Sequence, residues 1–405
     1  MKFPEALPRM RPRFVLLATL SLLFATALGT HPVAQASQPR IQRTSATTEE
    51  TLGEFVNFGQ WREIASFIDQ MVEKHGFDKA ELQAVLAQVK YADSAIQLIK
   101  PAPPGRPKNW QTYRARFVEP VRINAGVKFW NDYADDLKRA EIEYGVPAEI
   151  IVGIIGVETV YGRNMGNFRV LDALTTLAFD YPQTPTRAAR MDFFRGELEN
   201  TLLYARESGI DPLSLTGSYA GAIGWPQFMP GSIRAYAVDF DQDGKVDLRT
   251  SPTDAIGSVA RFLTLHGWKR GYPIVFPATV PLPPDNNSGW TAFIGQGLEA
   301  KYTMETLTSA GVVPGPLAPR DLLYGLVDLQ NGADATEYWL GTDNFFAITL
   351  YNRSFFYAMS VIELGRAGSI IVCLSGHDMD LSFFKFWRRS ATGICLFIQC
   401  GRVIP

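Results

Sequence analysis

The chain has 405 residues, of which 46% are hydrophobic and 20% charged, with a formal net charge of −2. That length carries two or three cooperating subdomains, and the composition is that of a globular protein, which excludes a disordered or fibrous chain. The near-neutral balance excludes a global field that would draw nucleic acid or an acidic membrane, and no low-complexity tract or internal repeat interrupts the sequence.

The N-terminus carries Lys2, Arg9, Arg11 and Arg13 against one acid, Glu5. Phe14 to Gly29 then has no charge, and Ala34-Gln35-Ala36 offers a small-x-small cleavage pattern before Ser37. Basic, apolar, then small is the order of a secretory signal, and the apolar run is shorter than the about 20 residues of a membrane span. Residues 1–36 are therefore read as a cleaved signal peptide and the protein as periplasmic, with a retained anchor as the alternative. No Cys lies near this segment, which excludes a lipidated N-terminus.

Ser37 to Leu52 is polar and reads as a flexible lead. Phe55 to Lys100 reads as helical, with Trp61, Ile64, Phe67, Ile68 and Met71 at three- and four-residue spacing. Pro101 to Pro107 is a proline-rich break, and Phe129 to Tyr144 a single amphipathic helix ended by Gly145. Pro147 and Glu149 suit the first turn of the next helix, Glu149 to about Tyr161. Further helices are expected at Leu171–Phe179, Ala188–Arg206, Thr253–His266 and Phe355–Leu364, the last entered through Phe345 to Leu350. Strands are expected at Phe276–Leu282 and Tyr324–Leu329. The class is mainly α with a small β component (α+β).

The three Cys are Cys373, Cys395 and Cys400, so the body from Ser37 to Gly365 owes nothing to disulfides or thiolate-bound metal. Four scattered His argue against a His-based zinc site, and no G-x-S-x-G elbow supports a serine triad. From Ala367 the periodicity is lost, with Phe383-Phe384-Lys385-Phe386-Trp387 out of any pattern; residues 366–405 are read as an atypical tail outside the core.

Two places carry chemistry. Ile150 to Val157 is apolar on every face, so its helix should be buried, and Glu158 falls on the face of Ile151, Ile154 and Ile155. A desolvated carboxylate there holds its proton near neutral pH, as a general acid for a glycosidic oxygen must. The same placement suits a Glu paired with a buried Arg such as Arg163, and spacing does not separate the two. The second place is Asp239-Phe240-Asp241-Gln242-Asp243-Gly244-Lys245. Its acids at positions one, three and five and its Gly at six match the start of an EF-hand calcium loop, in which Lys245 lends its backbone carbonyl. The twelfth residue is Thr250 where that motif has Glu. A solvated acidic turn is the alternative, but three such carboxylates repel without a cation.

Gly156-Val157-Glu158-Thr159-Val160-Tyr161-Gly162-Arg163 resembles the signature of the lytic murein transglycosylase B family. Val146–Ile151, Gly217–Gly224, Pro226–Pro230, Asp254–Val259 and Tyr351–Ser354 match in order, from roughly Phe55 to Gly365. The resemblance implies a lysozyme-like catalytic core, an added helical subdomain and a small β subdomain with the EF-hand-like loop, together residues 53–365. It implies cleavage of peptidoglycan between N-acetylmuramic acid and N-acetylglucosamine by one carboxylate, carried onto Glu158. That acid protonates the leaving oxygen, then deprotonates the muramoyl 6-hydroxyl, giving a 1,6-anhydro sugar without water, while the substrate's acetamido group stabilises the oxocarbenium-like state.

Family cleft positions match at Tyr113, Arg190, Ser218, Gln227, Tyr351, Asn352 and Tyr357, with Ser218 and Gln227 as partners for Glu158 or an acetamido group. Phe262 stands where a cleft Tyr is expected, and the longer Gln183–Ala189 stretch leaves Arg190 alone of an Arg pair. Asp254 is the implied closing metal ligand, with Asp239, Asp241, Asp243 and Lys245. No cofactor is expected for catalysis; Ca²⁺ is structural and far from the chemistry. A monomer acting on glycan strands is expected, without nucleic acid, with cell-wall synthesis enzymes as partners on family grounds. The alternatives are a hydrolytic muramidase, which needs a second carboxylate, and a non-catalytic peptidoglycan-binding scaffold.

Overall fold

The computed structural model describes residues 62–101, 105, 107–281 and 289–375. The signal peptide, the flexible lead and residues 376–405 of the tail lie outside the described residues.

The chain opens with three short helices, α1 (Arg62–His75), α2 (Lys79–Leu86) and α3 (Asp93–Ile99), followed by α4 (Trp110–Arg114). Ile64, Phe67, Ile68 and Met71 form the buried stripe of α1 at the expected spacing. Next come α5 (Pro120–Asp132) and α6 (Ala134–Tyr144), where one helix was expected from Phe129. Tyr133 breaks them apart with φ −123° and ψ 29°. Both helices pack against α7, but α5 packs also against α14 and α6 against α11, so the two halves have different second partners. The apolar spacing runs through the break, so periodicity conceals it. Glu119 caps α5, accepting the N–H groups of Val121 and Arg122 ahead of Pro120's turn.

Helix α7 (Ala148–Thr159) is the centre of the core. All of its residues except Glu149 and Glu158 are buried. Of the helices that follow, α11 (Pro252–Leu265) packs on α7, while α8 (Val170–Phe179) packs on α9 (Arg187–Ser208), α9 on α10 (Pro230–Tyr236) and α11 on α13 (Asp343–Tyr351), with a two-stranded sheet of β1 (Phe168–Arg169) and β2 (Thr216–Gly217). The last helix, α14 (Phe355–Ser375), continues beyond the expected end at Leu364. By length and composition Phe355–Leu374 could cross a membrane. Its Tyr357, Ala358, Val361, Ile362 and Leu364 are nevertheless buried, and α14 packs on α7, as a core helix does.

The contact between α7 and α14 is very close. A Cβ on Gly153 would stand 2.2 Å from the Val361 carbonyl oxygen, and one on Gly365 would stand 2.0 Å from that of Glu149. Glycine is what lets the two backbones touch.

The β subdomain is a five-stranded antiparallel sheet in the order β4 (Tyr302–Thr303), β6 (Leu323–Asn331), β7 (Asp334–Gly341), β3 (Val275–Thr279), β5 (Val313–Pro314). Leu326 and Phe276 both pair with Leu340, and helix α12 (Met304–Ser309) covers a separate small core of Phe276, Trp290, Leu307, Tyr324 and Leu340. Strand β7 had no counterpart in the sequence reading.

Candidate active site

Glu158 lies in the last turn of α7, partly accessible, in a wall of phenols. The Tyr357 hydroxyl, from the first turn of α14, donates to Glu158 Oε1 at 2.6 Å. Burial raises the Glu158 pKa from the ordinary carboxylate range to about 7, opposed by the Tyr357 hydrogen bond. Among the described residues no carboxylate or cation contributes to that shift. The carboxylate in turn pushes the phenols of Tyr113, Tyr351 and Tyr357 upward, adding to their burial. These three are therefore neutral phenols around one titrating acid, and Tyr357 is the one that donates to it. The Arg-paired alternative is not realised: Arg163 is exposed, and the ion pairs among the described residues do not include Glu158.

The phenols are set by packing. Tyr351 stacks on Tyr357, centroids 6.2 Å apart and 13° between planes, and donates its hydroxyl to the Pro226 carbonyl. Tyr113 of α4 stacks on buried Trp110 and meets Phe356 edge-on. Asn352 follows at the C-cap of α13, half-buried.

Ser218 and Gln227 hold the loops of the site: their hydrogen bonds go to backbone groups rather than to Glu158, which leaves the acetamido group of the two partners the sequence offered. Ser218 Oγ accepts the N–H groups of Ala220 and Ala222 at 3.3 and 3.0 Å. Gln227, in the left-handed region at φ 51°, donates its Nε2 to the carbonyls of Met165 and Gly224. The amide oxygen takes no part in those bonds. Arg190, half-buried on α9, has its guanidinium 5.9 Å from the centre of the Tyr181 ring. Phe262 is buried and stacks on His266 at 3.9 Å, meeting Tyr351 edge-on at 4.9 Å.

Thr159 was not singled out by the sequence reading. Its hydroxyl donates to the Trp225 carbonyl at 2.9 Å and accepts the Gly162 N–H at 3.0 Å. A Thr one residue after a candidate acid was the available signal. Glu197 was missed as well. It is buried on α9, accepts the Gly231 N–H at 2.8 Å at the start of α10, and is raised by burial to about 7.

The acidic loop brings Asp239, Asp241 and Asp254 together, one oxygen from each within 4.8 Å of the others. Asp239 accepts the N–H groups of Asp243 and Gly244, and Gly244 has φ 90°, a conformation that favours glycine. Buried Asp254 accepts the N–H groups of Phe240, Asp241 and Asp247, tying both ends of the loop together. Asp243 stands outside the convergent set, its Oδ1 accepting the Lys245 N–H. Three hard oxygen donors at this spacing fit a calcium ion. The loop is also joined to the site: the Trp225 N–H and indole N–H donate to the carbonyls of Leu248 and Arg249.

The transglycosylase SLT domain family model matches residues 59–366. The membrane-bound lytic murein transglycosylase B of Escherichia coli (strain K12) is 41% identical over 375 residues, 88% of this chain and 97% of that protein. The crystal structure of the soluble lytic transglycosylase SltB1 from Pseudomonas aeruginosa superposes with a TM-score of 0.69 at 45% identity, covering 76% of this chain and 99% of that one. The Escherichia coli lytic transglycosylase Slt35 in complex with calcium gives 0.66 at 45% identity, over 76% and 92%.

Proposed function

The chain belongs to the transglycosylase SLT domain family and is a lytic murein transglycosylase, and from that premise we infer that Glu158 is the acid and base that cleaves the glycan. The enzyme cuts peptidoglycan between N-acetylmuramic acid and N-acetylglucosamine and leaves a 1,6-anhydromuramic end. The observation that supports Glu158 is its place at the end of the buried α7, bonded by the Tyr357 hydroxyl, where burial raises its pKa to about 7 with no second carboxylate contributing.

With Oε1 held by Tyr357, the proton rides on Oε2. Glu158 donates it to the glycosidic oxygen, the bond to the muramoyl C1 breaks, and N-acetylglucosamine leaves with its 4-hydroxyl restored. The resulting carboxylate takes the proton of the muramoyl 6-hydroxyl, O6 closes on C1, and Glu158 is again protonated. No water is consumed, so the single carboxylate suffices. Tyr113, Arg190, Ser218, Gln227, Tyr351, Asn352 and Tyr357 form the cleft: ring faces for sugar faces, and polar edges for hydroxyl and acetamido groups. The Tyr357 hydrogen bond keeps the acid oriented.

Asp239, Asp241 and Asp254, with Asp243 and the Lys245 carbonyl on the same loop, would hold a structural Ca²⁺, as the calcium complex of Slt35 supports. The ion would brace the loop behind Trp225 and takes no part in the proton transfers. The substrate lies outside the cytoplasmic membrane, which agrees with reading residues 1–36 as an export signal.

Mass spectrometry of the products from purified peptidoglycan tests the reaction. Muropeptides ending in 1,6-anhydromuramic acid are expected. Reducing ends one water heavier would make the enzyme a hydrolase, and no cleavage by folded protein would favour a binding scaffold.

A further inference from the structure

Beyond Glu158 the backbone does something costly. Val160, Tyr161 and Gly162 lie consecutively in the left-handed region, at φ 52°, 56° and 79°. For a β-branched residue this is a rare conformation that persists only where the surroundings impose it. Thr159 supplies the constraint on one side. It is fully buried, and its hydroxyl accepts the Gly162 N–H, closing the turn, while donating to the Trp225 carbonyl. A longer approach to the Ile155 carbonyl, 3.3 Å, competes for the same hydrogen, and the 2.9 Å contact to Trp225 is the better one.

Trp225 is held from every side. Its N–H and indole N–H bond the carbonyls of Leu248 and Arg249, and its indole lies against Gly162, where a Cβ would stand 2.7 Å away. The next carbonyl, Pro226, accepts the Tyr351 hydroxyl, and Gln227 follows. The contacts close into a ring. Glu158 bonds Tyr357, Tyr357 stacks on Tyr351, Tyr351 bonds Pro226, and Trp225 bonds the residue that follows Glu158. Two neighbouring carbonyls of one loop are thus captured by hydroxyls from the two helix ends that flank the acid.

We propose that Thr159 is a positioning residue of the transglycosylase reaction, its hydroxyl holding the Gly224–Pro230 loop against the end of α7 and so fixing Gln227 relative to Glu158. The side chain is fully buried and does not touch the sugar. It acts through the loop. Losing the donor frees the Trp225 carbonyl, relaxes the turn after Glu158 and lets water closer to the acid. The inference rests on Glu158 being the acid and Gln227 lining the cleft.

The test compares wild type, Thr159→Val, Thr159→Ser and Glu158→Gln on a soluble tetrasaccharide of alternating N-acetylglucosamine and N-acetylmuramic acid, below the melting temperature of each. Thr159→Val should lower kcat on the order of 10–100-fold, the scale set by displacements near 1 Å in a reactive geometry. KM should move by less than about threefold, because sugar contacts are kept. The pH at which kcat falls should move to the acid side as Glu158 is resolvated. Thr159→Ser should restore both. Where the valine variant does not fold, Thr159→Ala and Thr159→Cys also lack a strong donor. Failure of all three to fold while serine folds would make the residue structural and overturn the proposal. So would a folded variant without the donor that keeps the wild-type kcat and pH profile. An active Glu158→Gln would remove the premise, whereas an inactive one beside an unaltered Thr159→Val would remove this inference alone.

Discussion

Tyr357 and Glu158 meet across the α7–α14 contact, the phenol oxygen 2.6 Å from Glu158 Oε1. The bond opposes the burial that raises the acid. Tyr357→Phe therefore removes a group that favours the ionised form, and the Glu158 pKa should rise above about 7. Because the acid must be protonated to begin the reaction, kcat/KM of the wild type should be constant at acid pH and fall tenfold per pH unit above about 7. In Tyr357→Phe that fall should begin at higher pH, with kcat itself lower on the order of tenfold through loss of orientation. A pH–rate profile of both proteins on one soluble glycan reads this directly. An unmoved descending limb would mean that the bond does not tune the acid.

The same burial predicts a stability effect of the opposite sign to activity. Glu158 and Glu197 are both raised from 4.5 to about 7 in the folded protein. The folded state therefore binds their protons more tightly, so their contribution is fully present below pH 4.5 and lost as pH rises through about 7. Glu158→Gln should lose turnover because an amide cannot shuttle a proton, yet melt higher than wild type at pH 8 and equally at pH 4. Glu197→Gln should show the same pH-dependent gain, since its amide oxygen can still accept the Gly231 N–H. Each gain is on the order of 1–3 kcal/mol. Melting curves at the two pH values suffice, and equal shifts at both would count against buried ionisation as the cause.

Gly153 links the packing to the acid. A Cβ there would meet the Val361 carbonyl at 2.2 Å, with no flexible side chain to give way. Gly153→Ala should force α7 and α14 apart, costing about 1–3 kcal/mol as overpacking does. It should also lengthen the Tyr357–Glu158 bond, so kcat falls together with the melting temperature. Gly196→Ala on α9, at a half-buried position where a Cβ meets nothing within 4 Å, is the control and should be neutral or slightly stabilising. If Gly153→Ala melted lower but kept the wild-type kcat, the close approach would serve stability alone.

Much of this was legible before any coordinates, and the reason is local. The all-apolar run before Glu158 means burial wherever it folds, and burial alone gives the raised pKa. The acids at 239, 241 and 243 with Gly244 describe a loop that closes on its own backbone. What the sequence did not show is set by non-local contacts. The division at Tyr133 goes with α5 and α6 having different partners beyond α7, which both share. Ser218 and Gln227 were expected as partners of Glu158 or of an acetamido group, and the sequence could not show that Oγ and Nε2 are engaged by backbone groups of their own and neighbouring loops. Thr159 matters through a carbonyl 66 residues away. Spacing cannot report such a distance.

Asp241 and Asp254 should answer differently to calcium, which separates ligation from bracing. Both converge with Asp239, but Asp254 is buried and accepts three backbone N–H groups, whereas Asp241 is exposed. Calcium added to metal-free protein should raise the melting temperature, by the equivalent of about 2.7 kcal/mol when the free ion is a hundred times its dissociation constant. Asp241→Asn should leave the metal-free melting temperature near wild type and abolish most of the increment. Asp254→Ala should melt lower even without metal, because three N–H groups lose their acceptor inside the protein. Since Leu248 and Arg249 of this loop hold Trp225, Asp254→Ala should also lower kcat, while Asp241→Asn assayed without metal should not. A calcium titration followed by melting on the three proteins decides it: no increment in the wild type would leave the loop an acidic turn closed by its own hydrogen bonds.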